Sequence, residues 1–360
     1  MLSPAQLQEV MTDFWFNHFN VYWKKNLDRV FIGSYERDAI RPYALGRFRD
    51  LLEATAHHPA MLIYLDNWEN TDPNSAFAQR VAMRMNGKKK QIGINENYAR
   101  EIMELHTLGV NGGYTQTDVT TLAHILTGWG LERGDGEEGR ASFYFDPQRH
   151  DFNNQVFLGT QISGGGAPEI EGVLDMLARH PSTAQHISYE LAQYFVADDP
   201  PSALVSRMTQ TFQSSDGDIA AVLRTMFQSA EFWDPKYTNA KFKPPFRYVV
   251  STLRASGLVP QGDTKRLQLA INQMGEPLYE CLTPNGYANT NDQWLNSDAV
   301  LKRIAFAKTL AEFTNPAAPG TIEAALGAND WSANTLATVQ KAGPQLQPAL
   351  LLGSPEFVYY

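Results

Sequence analysis

The stretch NENYAREIMELHTLGVNGGYTQTDV, residues 95–119, carries Glu101, Glu104 and His106 within one predicted helix. Carboxylates and an imidazole are the side chains of general acid–base catalysis, and they are also ligands for divalent metals. A second pair of the same types stands at His150-Asp151, and His18 occupies the middle of an otherwise apolar stripe. One chemistry these residues suggest is hydrolysis. Glu101 or Glu104 works with Asp151 as acid and base, and His106 or His150 tunes them. Burial raises a carboxyl group's pKa, which suits a proton donor near neutrality. Asn97, Tyr114, Asp118 and Trp129 are the candidate substrate contacts. The alternative chemistry is a divalent metal held by His18, Glu101 and His150 with His106, although no cofactor is required by the first reading. A third reading is non-enzymatic: a helical scaffold that binds a partner.

Two helices must position the central residues. Asn95 can cap the first and Gly109 end it, while the second runs from Thr115 to Gly128. With Glu101 as zero on a wheel of ~100° per residue, Tyr98, Ile102 and Leu105 fall between about 40° and 100°. Glu101 and His106 then lie inside the apolar arc, whereas Arg100, Glu104 and Thr107 form the wet face. A buried carboxylate is costly unless paired, so a partner is expected on a neighbouring element. Bland readings stand beside this one. Glu101 can anchor Arg47, Arg100 or Arg247; Asp118, three residues after Thr115, can support a helix start; Trp129 can fill a core gap. On a strand His150 and Asp151 would face opposite sides, so one of them enters a shared site.

The remaining elements read as mostly helical. Ser3 and Pro4 open a first helix whose apolar stripe extends to Tyr22. Helical periodicity follows through Phe48–Ala56, interrupted by His57-His58-Pro59, and returns in Ile170–Arg179, Thr183–Val196, Pro201–Ser214, Asp218–Gln228, Phe246–Ser256, Thr264–Met274 and Asp298–Phe313. Asn70 to Lys90, with its Lys88-Lys89-Lys90 run, reads as an exposed excursion, and Arg133 to Arg140 as a charged glycine-rich loop. Ser142 to Gly159 alternates like a small extended element or hairpin. Thr283 to Asn296 is loop chemistry. The expected fold is mainly α: one helical domain over residues 1–360 with a small β element near residues 142–159.

Bulk properties narrow the partners. The chain has 360 residues, 43% of them hydrophobic, and a formal charge of −9, which disfavours nucleic acid and anionic membrane. With Cys281 alone, neither an internal disulfide nor a cysteine zinc site can form. No stretch reads as a signal peptide or as the ~20 apolar residues of a membrane span. Phosphate-loop, dinucleotide, GxSxG and HExxH motifs are absent.

The motif NENYAREIMELHTLGVNGGYTQTDVTTLAHILTGW, together with FWFNHF, HHPAMLIYLDN, FYFDPQRHDFNNQVFLG and LLLGSPEF, resembles the bacterial family known as domain of unknown function 1800. The likeness runs over nearly the whole chain. It implies a mainly helical fold, export to the periplasm or beyond, and a sulfatase-like or phosphatase-like partner protein. It implies no reaction. Family members usually carry a longer N-terminal region, with an export signal, ahead of the stretch matching Leu2. Tyr189 stands where a basic residue is common. The resulting expectation is an extracytoplasmic hydrolase acting on a glycan or related polymer, or on a small-molecule substrate.

Overall fold

A computed structural model of the chain describes residues 3–84, 92–133, 141–260, 262, 264–312, 318–326 and 331–360. The Lys88-Lys89-Lys90 run and the loop residues 134–140 lie outside the described residues. The protein is mainly α-helical, with two small antiparallel two-stranded sheets. The helices that matter for the site are α1 (Gln6–His18), α2 (Phe48–Ala56), α3 (Asn97–Glu104), α4 (Gln116–Ile125), α5 (Ala167–Arg179), α6 (Pro181–Phe195), α7 (Pro245–Ala255) and α8 (Ser297–Ala311).

Helix α1 is shorter than its apolar stripe. Ser3 serves the turn before it, accepting from Ala5 N at 3.1 Å, and the helix begins at Gln6. It stops at His18 because the next residues are drawn elsewhere. Asn20 Nδ2 donates to Cys281 O and Thr283 O at 3.0 and 2.9 Å, and Trp23 N donates to Tyr279 O at 3.1 Å. These bonds pull the backbone off the helical path toward the segment 279–283.

Strand β1 (Trp129–Arg133) pairs with β2 (Ala141–Phe145), placing Trp129 opposite Phe145, and β3 (Gln155–Phe157) pairs with β4 (Thr160–Ile162). The expected extended element is therefore present, but its first partner strand begins at Trp129. His150 and Asp151 lie in the connection between the pairs rather than on a strand, so the opposite-face argument does not apply and both are buried. Helices at Ala76–Arg84 and Asn291–Trp294 replace segments that read as loops. At the first, Ser75 Oγ accepts from Ala78 N at 3.2 Å and supplies a cap.

The buried apolar residues gather in two clusters. One runs from Met11 to Met226 and includes Trp15, Phe48, Ile102, Leu122 and Leu191. The other comprises Tyr248, Val249, Ala307, Leu351, Leu352, Phe357 and their neighbours. Helix α1 faces both ways. Met11, Phe14 and Trp15 enter the first cluster with His18 packed against their rings, while Glu9, Asp13 and Asn17, four residues apart, form a separate polar stripe along the cavity. No helix among the described residues is long and apolar enough to cross a membrane.

Candidate functional site

Helix α3 ends earlier than expected, and that changes the positions of the residues after it. Leu105 N and His106 N both donate to Glu101 O, at 2.9 and 3.0 Å, and Leu108 N donates to Met103 O at 2.8 Å. The last turn widens, so wheel angles extrapolated past Glu104 lose meaning. Thr107, expected on the wet face, is fully buried and donates to Ile102 O at 2.6 Å. His106 is buried as expected. Glu101 is only half-buried, a correction to the wheel reading. Its carboxyl makes no hydrogen bond and no ion pair among the described residues. Burial and the neighbouring Glu104 raise its carboxyl, and Arg100 opposes them.

The other expected contacts are distributed as follows. Glu104 accepts from Tyr114 Oη at 3.0 Å, and Asn97 is exposed at the start of α3. Asp118 completes a capping box with Thr115 and accepts from Leu158 N at 3.0 Å, which ties α4 to the turn between β3 and β4. Trp129 packs in the core, its ring centroid 4.8 Å from that of His57 and 5.4 Å from that of Phe143. These two residues hold the fold together at the places where their bland readings put them.

His18 does approach His106. Its Nδ1 lies 2.7 Å from Glu190 Oε2 on α6, and its Nε2 lies 3.2 Å from the backbone oxygen of His106. Both nitrogens face acceptors, an arrangement that only the doubly protonated ring satisfies in full. His186 adds a contact to Leu105 O at 3.1 Å. Burial lowers the pKa of His106, and the nearby rings of His18 and His186 lower it further; its Nε2 has no partner among the described residues. This network joins α1, α6 and the end of α3.

His150 belongs to a different group. Its Nδ1 lies 2.8 Å from Thr127 O, and its Nε2 stands 3.2 Å from Glu169 Oε1 on α5 without hydrogen-bond alignment. Asp151 Oδ2 lies 2.7 Å from His124 Nδ1. The proposed metal ligands His18, Glu101 and His150 are therefore not brought together. Among the described residues, the group of three metal-ligand types that does cluster is Glu53, His57 and Glu171, whose donor atoms lie within 4.8 Å of one another. Its position is already served by a cation, since Arg49 donates to Glu53 and Glu171, each at 2.8 Å, and to Asp175 at 2.5 Å. That donor set fits a guanidinium.

The structure gathers its strongest acid–base chemistry where the sequence reading did not look. A cavity of about 450 Å³ opens between the two apolar clusters. Its lining includes Asp13 and Asn17 of α1, Phe246 and Arg247 of α7, Glu276 and Tyr279 of the following segment, and Tyr194 and Tyr287. Burial raises Asp13 to about 6; Arg247 and a Tyr194 hydrogen bond oppose the rise and Glu36 adds to it. Burial, reinforced by Asp13, raises Glu276 to about 8, although Phe246 N donates to its Oε2 at 2.7 Å. The two carboxyls thus repel each other's charge across one cavity.

The walls are pinned by reciprocal bonds. Asn17 Nδ2 donates to Tyr287 O at 2.8 Å, and Tyr287 N donates to Asn17 Oδ1 at 2.7 Å. Gly286 permits that approach, with φ of +66° and a virtual Cβ only 2.2 Å from Asn17 O. Tyr279 Oη donates to Glu36 Oε2 at 2.6 Å, and Glu36 in turn accepts from Arg41 at 2.7 Å. The signal available beforehand was the Glu9, Asp13, Asn17 spacing, a second polar stripe on a helix whose other side is apolar.

Comparison with known proteins returned one family. The model of the family described as protein of unknown function (DUF1800) matches residues 1–359. No curated protein and no solved structure matches.

Proposed function

The chain belongs to the DUF1800 family, a family of unknown function, and from the cavity between its apolar clusters we propose an extracytoplasmic hydrolase that cleaves a glycan or related polymer. The observation that carries this reading is the pair of carboxyls raised to about 6 and about 8, Asp13 and Glu276, in one aromatic-walled cavity. Near neutrality Glu276 keeps its proton and Asp13 has largely lost its own. Glu276 then donates to the leaving-group oxygen, and Asp13 takes a proton from water or attacks the sugar carbon itself. Tyr194, Tyr279, Tyr287 and Phe246 offer faces on which sugar rings stack. The roles expected of Glu101 and Glu104 pass to this pair because neither glutamate lines the cavity.

Export remains part of the proposal on the family resemblance, as does a sulfatase-like or phosphatase-like partner. Hydrolysis by two carboxyls and water needs no ATP and no nicotinamide, which fits a protein working outside the cytoplasm. The test is a panel of glycans, esters and phosphate esters assayed with and without chelator, repeated on Asp13→Asn and Glu276→Gln. Glycan cleavage that ignores chelator and is lost in both variants is expected. Cleavage that survives both substitutions removes the cavity from the chemistry.

A further inference from the structure

We infer that Arg247 is the receptor for an acidic group on the substrate, so that the polymer handled in this cavity carries carboxylates. The inference rests on the hydrolytic reading and names its substrate class. Arg247 is held by stacking rather than by a counter-ion. Its guanidinium carbon lies 3.4 Å from the ring centroid of Tyr360 and 5.6 Å from that of Tyr194. Its Nη1 is buried with no hydrogen-bond partner among the described residues, although the side chain lines an open cavity. An orphaned buried guanidinium N–H is costly, and a carboxylate is the acceptor its planar fork fits best.

The surroundings add to the demand for an anion. Lys243 is buried, and its Nζ donates to Phe357 O at 2.6 Å while lying 4.2 Å from the Phe357 ring centroid. Arg303, also buried, donates to Ala299 O and Lys243 O at 3.1 and 2.7 Å. Neither cation has a carboxylate within ion-pair distance among the described residues. Burial, together with Arg247, lowers Lys243 to about 7. Asp13 feels the charge of Arg247 and Glu276 that of Arg303 across the cavity, but neither carboxylate reaches ion-pair distance of Arg247, Lys243 or Arg303 among the described residues. A ligand carboxylate at Arg247 supplies the acceptor that its Nη1 lacks. Stacked sugar rings and a fixed guanidinium together specify a uronate.

The probes are D-glucuronate and D-glucose, which contain no glycosidic bond and so report binding without turnover. Glucuronate is expected to bind the full chain at least about tenfold tighter than glucose, the scale of one hydrogen bond to a charged group. Arg247→Lys should keep part of that preference and Arg247→Met should lose it. Because Arg247→Met can fail to fold, the wild-type protein gives a second reading. Phenylglyoxal should modify Arg247, and glucuronate but not glucose should protect it, as read by peptide mass spectrometry. Equal affinity for the two sugars, an unchanged preference in Arg247→Lys, or protection by sulfate but not glucuronate overturns the inference. Glucuronate binding in a protein that cleaves nothing would sustain the acidic subsite and remove the hydrolase; cleavage of neutral glycans alone would do the reverse.

Discussion

The ring of His18 reaches the carboxylate of Glu190 at 2.7 Å, binding the last turn of α1 to the middle of α6. The bond stands at the C-terminal end of α1.

This contact yields a stability prediction with a definite pH sign. Burial works to raise Glu190, but the charges of His18 and His186 and the His18 hydrogen bond prevail and lower it. A carboxyl whose folded pKa is lowered adds stability above its unfolded pKa, and that stability is lost as pH falls through the folded value. Glu190→Gln should therefore cost about 1–3 kcal/mol near neutrality and progressively less in acid. Thermal unfolding across pH checks it, and a pH-independent difference from wild type would show that the charge is not responsible.

Activity should follow a bell-shaped pH profile with limbs near about 6 and about 8, set by Asp13 and Glu276. Because the groups interact, the two apparent values belong to the pair. Asp13→Asn and Glu276→Gln should each lower kcat/KM by roughly 10²- to 10⁴-fold. Asp13→Asn should also remove the acidic limb, and an unchanged profile in that variant would rule Asp13 out as the base.

The same carboxyls should weaken the fold as pH rises. A raised carboxyl binds its proton more tightly in the folded state, so its cost appears as pH passes the unfolded pKa and is complete above the folded one. For Glu276 that window runs from ordinary glutamate values up to about 8. Glu276→Gln should accordingly raise Tm more in mild alkali than in acid while abolishing cleavage. A Tm offset of the same size at both ends of the window would contradict the assignment.

Gly286→Ala should damage the cavity wall specifically. The new Cβ would meet Asn17 O at 2.2 Å and Asn17 Oδ1 at 2.6 Å, at a φ of +66° that favours glycine. A loss of roughly 1–3 kcal/mol is expected from strain and the broken clamp. Both Gly286→Ala and Asn17→Ala should lower activity, the second without the backbone strain. Full activity in both variants would show that the clamp does not shape the site.

How much was legible in advance depended on the kind of signal. Periodicity placed the helices of residues 170–228 within a few residues, because their apolar stripes and caps coincide. It failed at Thr107, where a widened final turn replaced the helix on which the wheel was drawn, although His106 is buried as the wheel had it. Glu101 looked buried on the wheel, yet is half-buried in the structure. Asp13 and Glu276 were missed for another reason. Nothing local to either residue announces the other, and the cavity exists only because segments distant in sequence close over α1. Asp118 and Trp129 show the converse, since their local context already described a cap and a core ring.

Phe242 and Tyr359 face each other as backbone neighbours, and Lys241 and Tyr360 exchange both their main-chain hydrogen bonds, at 3.1 and 2.9 Å. That short ladder holds the Tyr360 ring against Arg247. During synthesis, then, a ribosome could release the entire first cluster, histidine network included, before any complete site exists. Asp13 emerges early and waits; Glu276 and Arg247 follow; the guanidinium is clamped only when residue 360 has cleared the exit tunnel.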